Sequence, residues 1–569
     1  MTDTTNDSTE PGASDTATEP DTTESIDPIT LEIMRNQLEG VAEEMGQVLI
    51  AGAYSPNIKE RRDCSTALFD TDGRLVDQAE HIPVHLGAMP EAVDAVREQS
   101  PQPGDVWLLN DPFAGGTHLP DLTMVSPITL DGESVGYAVS RAHHADVGGM
   151  TPGSMPAGAR EIYQEGLRIP PCKIVDGGEP NDELLAVLLA NVRNAEERRA
   201  DLRAQIAANE RGQTRLSELR DEHGLDRLRS AFEAVIDYSQ DRMEAAIEEL
   251  PVGTFSAEDF LEGDGLSERD IPIRAAVTID ERSITVDFAE TAPQVDGNVN
   301  APRSVTKSAV YFVIRAVTDP DIPPNHGCYE PVSVAIPNGS LLDPAPPAAV
   351  VGGNVETSQR VTDTVLSAFA EAIPDQLPAQ GQGTMNNLTI GSRDGQGFSY
   401  YETIGGGFGG RPTKDGMDGV QVGMTNTLNT PIEALEAEYP LRVTRYSLRS
   451  DSGGRGRYRG GLGIERQLEV AVPATISLLS ERRQYPPRGV AGGEDGSCGE
   501  NLIDGEPVGA KTTIEVDAGT TVTVRTPGGG GHGPPAERDS QAVGADIADG
   551  KQSELVDPPN GDAENPDES

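Results

Sequence analysis

Eight histidines occur in 569 residues, and five of them (His81, His85, His118, His143 and His144) crowd between positions 81 and 144, where even spacing would place about one. Within this window stands Asn110-Asp-Pro-Phe-Ala-Gly-Gly-Thr-His-Leu-Pro-Asp121. A strand ending at Leu109 would run into a Gly-Gly loop that presents His118 and Asp121 three residues apart. Neutral imidazole and carboxylate are good ligands for zinc or manganese, and a loop at a strand end can aim both at one point.

A second strand, Ser134–Ser140, leads into Arg141-Ala-His-His-Ala-Asp146-Val-Gly-Gly149. If the two strands are neighbours, their ends converge and His143 or His144 supplies a third ligand. Three protein ligands leave coordination positions open, as in catalytic rather than structural sites. His144 and Asp146 are then candidates to move protons, and Asp111 is a third catalytic candidate. The competing reading is that these histidines cap turns and hydrogen-bond carboxylates such as Asp111 and Asp146. His-x-x-Asp is a common pattern, so spacing alone leaves both readings open. Pro83 separates His81 from His85, which favours packing or support behind the ligands for that pair.

The elements that must position these residues begin at Asp27-Pro28, an N-cap followed by Pro at the first helical position. Leu31, Met34, Leu38, Val41, Met45 and Val48 recur at steps of three and four, the apolar stripe of a helix. Ser65–Phe69 and Asp105–Leu109 read as short strands. Residues 183–249 read as helical, with a break near His223-Gly224, a hairpin or arm. Ile271–Val277 and Ser283–Phe288 alternate as a β-hairpin, and Ser358–Ala372 reads as a helix. The expected class is α+β, a mixed multi-layer architecture whose C-terminal half is rich in glycine turns. Five segments are expected: a disordered acidic tail at 1–26, a metal-site region at 27–180, the helical arm at 181–250, a mixed region at 251–533 and a second disordered tail at 534–569.

Composition narrows the function. With 94 Asp and Glu against 44 Lys and Arg, the formal net charge is −50, which repels phosphate backbones and anionic lipid heads. Nucleic acid and membrane surfaces are therefore excluded as expected partners. Only six lysines occur (Lys59, Lys173, Lys307, Lys414, Lys511 and Lys551), and an acidic, lysine-poor surface suits a halophilic cell, where molar salt screens self-repulsion. No apolar run reaches the roughly 18 residues of a membrane span and no signal-peptide pattern opens the chain, so a cytoplasmic protein is expected. The four cysteines form no CxxC pair and are expected to be ordinary thiols. Gly405-Gly-Gly-Phe-Gly-Gly410 has the form GxGxxG, but Arg-Pro-Thr follows it instead of a helix, which argues against a dinucleotide site. No lysine sits in GxxxxGK[ST], so a nucleotide would have to bind another chain.

Several longer strings carry a resemblance. They include Asn57-Ile-Lys-Glu-Arg61, Gly116-Thr-His-Leu-Pro-Asp121, His143-His-Ala-Asp-Val-Gly-Gly149, Gln164-Glu-Gly166 and Gly352-Gly-Asn-Val-Glu-Thr-Ser-Gln359. Met424-Thr-Asn-Thr427, Asp451-Ser-Gly-Gly454, Arg459-Gly-Gly461 and Thr526-Pro-Gly-Gly-Gly-Gly531 complete the set. From about Pro28 to Pro534 the chain resembles the hydantoinase B/oxoprolinase family, the hydantoinase B component of ATP-dependent N-methylhydantoinases and 5-oxoprolinases. The resemblance implies a partner similar to hydantoinase A, an actin-like ATPase that binds ATP and Mg and phosphorylates the amide oxygen of a small cyclic amide such as 5-oxoproline, hydantoin or N-methylhydantoin. This chain would then open the ring at a divalent metal. Related acetone and acetophenone carboxylases hold their metal by a His-x-x-Asp pair and a later histidine, which implies His118, Asp121 and His143 here, with His144 an open alternative. A subunit of an acetone-type carboxylase and a non-catalytic scaffold for the ATPase are the competing expectations.

Overall fold

A computed structural model describes residues 26–393 and 397–553. The expected acidic tail at 1–26 lies, apart from Ile26, outside the described residues. Helix α1 (Pro28–Gly52) starts as its sequence dictates, with the Asp27 carboxylate accepting from the backbone N–H groups of Ile29 and Thr30. Its stripe buries Met34, Leu38, Val41 and Met45.

That stripe covers one face of a seven-stranded sheet. The strands are β1 (Cys64–Phe69), β2 (Leu75–Glu80), β3 (Val106–Leu109), β4 (Asp121–Leu130), β5 (Glu133–His143), β6 (Cys172–Asp176) and β7 (Glu179–Pro180), in the spatial order β2-β1-β5-β4-β3-β6-β7. Every pairing is antiparallel. Successive side chains point to opposite faces, and both faces are covered. Leu68 and Ala138 join Met34, Leu38 and Met45 of α1 in one core, while Ala67, Phe69, Tyr137 and Val139 pack under helix α2 (Met89–Arg97) in another.

Helices α3 (Ala195–His223) and α4 (Leu225–Glu248) supply the rest of the α1-side layer, including Leu216, Leu219, Leu228 and Phe232. The break between them falls at Gly224, whose φ of 87° suits glycine. A second sheet follows, from β8 (Gly253–Leu261), β9 (Ile271–Ile279), β10 (Ile284–Asp287) and β11 (Val332–Ala335), and it contains the expected hairpin β9–β10. Helices α5 (Arg303–Val317) and α6 (Ser358–Ala372) pack on it. Strands β12 (Asn387–Ser392) and β13 (Ser399–Glu402) belong to a third sheet, and a fourth holds five strands between Leu441 and Arg525. The class is mixed α+β with several layers.

The glycine runs of the C-terminal half are packed backbone on backbone. Gly407 donates to the Pro527 carbonyl, Gly410 to Gly530, Gly454 to Gly529, and Gly529 to Gly461. A Cβ on Gly407 or Gly460 would collide with the backbone of Gly529.

Two expectations need correction. The strand ending at Leu109 and the strand around Ser134–Ser140 are not neighbours: β4 lies between β3 and β5. The second acidic tail is also shorter than composition suggested. Residues 534–553 fold, with helix α7 (Ser540–Ala548) capped by Asp539, and the remainder lies outside the described residues. The buried Asp546 carboxylate accepts from Arg459 and Arg538 and so ties this acidic stretch to the domain. Among the described residues no helix is long and apolar enough to cross a membrane.

Candidate metal centre

The centre is built where β4 begins and β5 ends. Asp121 and His143 are directly opposed in the β4–β5 register, Thr123 opposes Arg141, and Arg141 in turn opposes Ser65 on β1. Alternation therefore places Asp121, Thr123, Arg141, His143 and Ser65 on one face of the sheet. His118 reaches the same face from the preceding loop. That loop is fixed by Asn110, whose amide donates to the carbonyls of Leu119 and Leu167 and whose oxygen accepts from Ile169 N–H. Gly116 lies against the backbone of Asn110 and Asp111, where no Cβ would fit, and Asp121 N–H donates to the His118 carbonyl.

Three donor atoms converge as a result. His118 Nε2 is 3.0 Å from Asp121 Oδ1, His143 Nδ1 is 3.3 Å from the same oxygen, and the two nitrogens are 3.2 Å apart. Ligands at about 2.0–2.2 Å from one ion stand roughly 3.0–3.5 Å from one another, so this donor set fits a zinc- or manganese-sized cation. All three side chains are buried, with exposures of 0%, 1% and 3%.

Burial would raise the Asp121 carboxyl, but His118 beside it and hydrogen bonds from His118 and His143 hold it well below the usual carboxylate range. Burial pushes His143 down, against the hydrogen bond to Asp121, and so favours the neutral imidazole that a metal needs. The second oxygen of Asp121 accepts from Thr117 Oγ1 at 2.6 Å and lies 3.7 Å from His85 Nε2. His85 is itself oriented by Ser65 Oγ at 2.9 Å from its Nδ1. The His143 ring stacks on Tyr401, centroids 4.6 Å apart, and the Arg61 guanidinium lies 4.9 Å from the centroid of that same ring. Outside the cluster, among the described residues, His118 Nδ1 and His143 Nε2 meet no protein partner.

The structure thus brings together His118, Asp121 and His143. It directs His144, Asp146 and Asp111 elsewhere. His144, one residue past the end of β5, faces α3, where its Nε2 meets Gln205 Oε1 at 2.9 Å. Burial and the nearby Arg198 charge push its pKa down to about 4. Asp146 accepts from Gly148, Gly153 and Arg193 and ties that loop together. Asp111 caps Phe113 N–H and pairs with Arg168 at 3.3 Å. Sequence reasoning passed over Thr117, Ser65, Arg141 and Tyr401. The period-two pairs Thr123/Asp121 and Arg141/His143 were the signal available for the sheet face; Tyr401, far along the chain, left none.

The hydantoinase B/oxoprolinase family profile matches residues 27–535. The chain is a member of the hydantoinase B/oxoprolinase family. Among its relatives in this family of enzymes, 5-oxoprolinase 1 of Arabidopsis thaliana is 41% identical over 545 residues, covering 89% of this chain and 42% of that protein. The chain thus spans about two-fifths of the 5-oxoprolinase. A putative D-/L-hydantoinase B-type subunit of Pseudomonas sp. is 33% identical over 561 residues, covering 93% and 94%. Of solved structures, the ATP-dependent caprolactamase from Pseudomonas jessenii superposes with a TM-score of 0.86 at 32% identity, over 93% of this chain and 95% of that one. Acetone carboxylase gives 0.84 at 19% identity, over 93% and 78%, and shares the fold.

Proposed function

We propose that this chain is the ring-opening subunit of an ATP-dependent cyclic amidase, working with a separate hydantoinase A-like ATPase subunit that holds Mg-ATP. The observation that carries the reading is the buried set of His118 Nε2, Asp121 Oδ1 and His143 Nδ1, with ligand-like separations. His118, Asp121 and His143 would hold a divalent ion, manganese or zinc. Such an ion supplies Lewis acidity toward an amide oxygen or a water molecule.

The chain's own residues prepare that position. Thr117 holds the second Asp121 oxygen, with the His85 ring 3.7 Å behind it, so the first stays aimed at the two imidazoles. Tyr401 fixes the plane of His143, and Arg61 braces Tyr401 through its carbonyl, which accepts from Nη1 at 2.8 Å. Burial excludes bulk water and strengthens every charge interaction within. A lactam is resonance-stabilised, and phosphorylation of its oxygen by the partner would make the ring carbon electrophilic. The names of the caprolactamase and 5-oxoprolinase relatives support a cyclic amide as substrate; the acetone carboxylase likeness, at 19% identity, supports a carboxylase reading by fold alone.

The test is phosphate release by the native complex, captured on this chain, with ATP and in turn 5-oxoproline, hydantoin, N-methylhydantoin, caprolactam, or acetone plus bicarbonate. Turnover with a ring substrate is expected. Turnover with ketone and bicarbonate alone would overturn the amidase, and full activity in a preparation free of divalent metal would overturn the metal.

A further inference from the structure

The string from Gly352 to Gln359 contributes no donor to the metal centre. Its middle, Gly353–Thr357, is a π-helical turn that runs directly into α6. Such turns are rare and frequently sit at functional sites. Gly352 N–H donates to the Asn298 carbonyl at 2.9 Å, and Thr357 Oγ1 donates to the Val299 carbonyl at 2.5 Å. A Cβ on Gly353 would collide with the Asn300 backbone. The turn held in this way carries Glu356 into the interior, at 0% exposure.

A carboxyl group is costly to bury there, and a well-packed apolar side chain would cost the fold less. Among the described residues no cation lies within ion-pairing distance of Glu356; the nearby Lys511 pairs with Glu481 instead. Burial first, and then the Glu481 charge, push the Glu356 carboxyl up to about 7. One of its oxygens, Oε2, meets no donor among the described residues. The other, Oε1, accepts from Met385 N–H at 3.1 Å and from Asn387 Nδ2 at 2.8 Å. Both of these neighbours are donors, so a proton on the carboxyl sits on Oε2, and Oε1 remains an acceptor in either state.

That acceptor starts a chain of contacts ending on a candidate ligand. Asn387 Nδ2 also donates to the Leu479 carbonyl at 2.9 Å. With two acceptors on its nitrogen, the amide turns its oxygen the other way, and Oδ1 accepts from the Tyr401 hydroxyl at 2.9 Å. The Tyr401 ring stacks on His143 with an interplanar angle of 12°. Stacking alone lets a ring slide and tilt; a hydroxyl tied to a fixed amide removes that freedom. Three layers meet in this chain: Glu356 at the entry to α6, Asn387 and Tyr401 on β12 and β13, and His143 at the end of β5. We infer that Glu356 is a positioning residue for the metal centre, acting through Asn387 and Tyr401 on the plane of the His143 imidazole. The inference rests on the metal reading of the proposed function and is independent of which ring is opened.

Competition titration of the full chain with Co²⁺, read together with the visible absorption of the bound ion, tests this. Glu356→Ala should weaken binding about tenfold, the low end of what partners behind metal ligands contribute, and should shift the absorption bands, which report ligand geometry. Glu356→Gln keeps an acceptor oxygen toward Asn387 and should restore both affinity and bands. Tyr401→Phe, which removes the hydroxyl and keeps the ring, should match Glu356→Ala. The double variant should be no weaker than either single one, because both cut the same chain. Asn387→Ala removes the link itself, should give the same loss and shift, and serves if Glu356→Ala fails to fold. Unchanged affinity and bands in these variants, losses that add in the double variant, or a Glu356→Gln as weak as Glu356→Ala would overturn the positioning role. A wild-type chain that takes up no Co²⁺ would instead overturn the metal reading, and this role with it.

Discussion

Two buried aspartates, Asp121 and Asp259, are both held ionised, by different partners. Asp259, 2% exposed on β8, lies among Arg360 at 3.3 Å, Arg482 at 3.2 Å and Arg488 at 3.3 Å. Burial would raise its carboxyl, but those guanidiniums outweigh it and hold it far below the ordinary range. Arginine keeps its proton at any accessible pH, so this cluster is a permanent cross-link between β8, α6 and the segment at Arg482. Asp121 has imidazoles around it instead. An imidazole can be neutral, and a neutral imidazole is a ligand. The same carboxylate chemistry thus gives a fixed fastening among guanidiniums in one place and a cluster of buried imidazole and carboxylate donors in the other.

That contrast can be broken by substitution. His118→Ala should abolish stoichiometric metal, read by elemental analysis, and lower turnover by more than about a hundredfold, beyond the effect of outer-sphere changes, while the fold survives. Asp259→Asn should do the reverse: metal is retained, and chemical denaturation shows a loss of about 3–5 kcal/mol from breaking a buried ion cluster. If Asp259→Asn lost its metal as His118→Ala does, the two clusters would not be separable. His85→Ala, which removes support from the second Asp121 oxygen, should weaken metal affinity about 10–100-fold in a competition titration.

A third buried carboxylate sharpens the contrast by having no cation. Among the described residues, Glu165 accepts only from Val350 and Val351 N–H, at 2.8 and 2.9 Å. Burial pushes it up to about 8, and the two amides offset this only in part. A carboxyl raised in the fold contributes stability that is fully present below its ordinary pKa of about 4.3 and is lost as pH rises through about 8. Stability of the wild-type chain should therefore fall across that window, at up to about 1.4 kcal/mol per pH unit from this group. Glu165→Gln should flatten the slope, and an unchanged slope would show that Glu165 is ionised throughout.

Local features were legible in the sequence, and the long-range ones were not. Asp27-Pro28 announced the start of α1, and the three-four spacing of Met34, Leu38, Val41 and Met45 named its buried face, because both signals lie within a few turns of chain. The range Ser358–Ala372 is that of α6. His118 and Asp121 stood out because one loop presents both. The intervention of β4 between β3 and β5 was hidden, since strand order depends on partners rather than on any strand's own pattern. The choice between His143 and His144 is one of parity: the last residue of β5 and the one after it face opposite layers, and only the β4–β5 register shows which layer holds Asp121. Acidic composition misled at residues 534–553, because the pairing of Asp546 with Arg459 spans 87 positions.

The backbone-on-backbone crossing of Gly407, Gly454, Gly460 and Gly529 has a thermal consequence. Unfolding a hydrophobic layer exposes apolar surface and raises heat capacity, whereas exposing peptide groups lowers it. A module held by interleaved peptide groups should therefore melt with a small heat-capacity increment for its size. Its stability curve would be flatter with temperature than that of the leucine- and methionine-lined layers around α1, so cooling would loosen the α1 layers first.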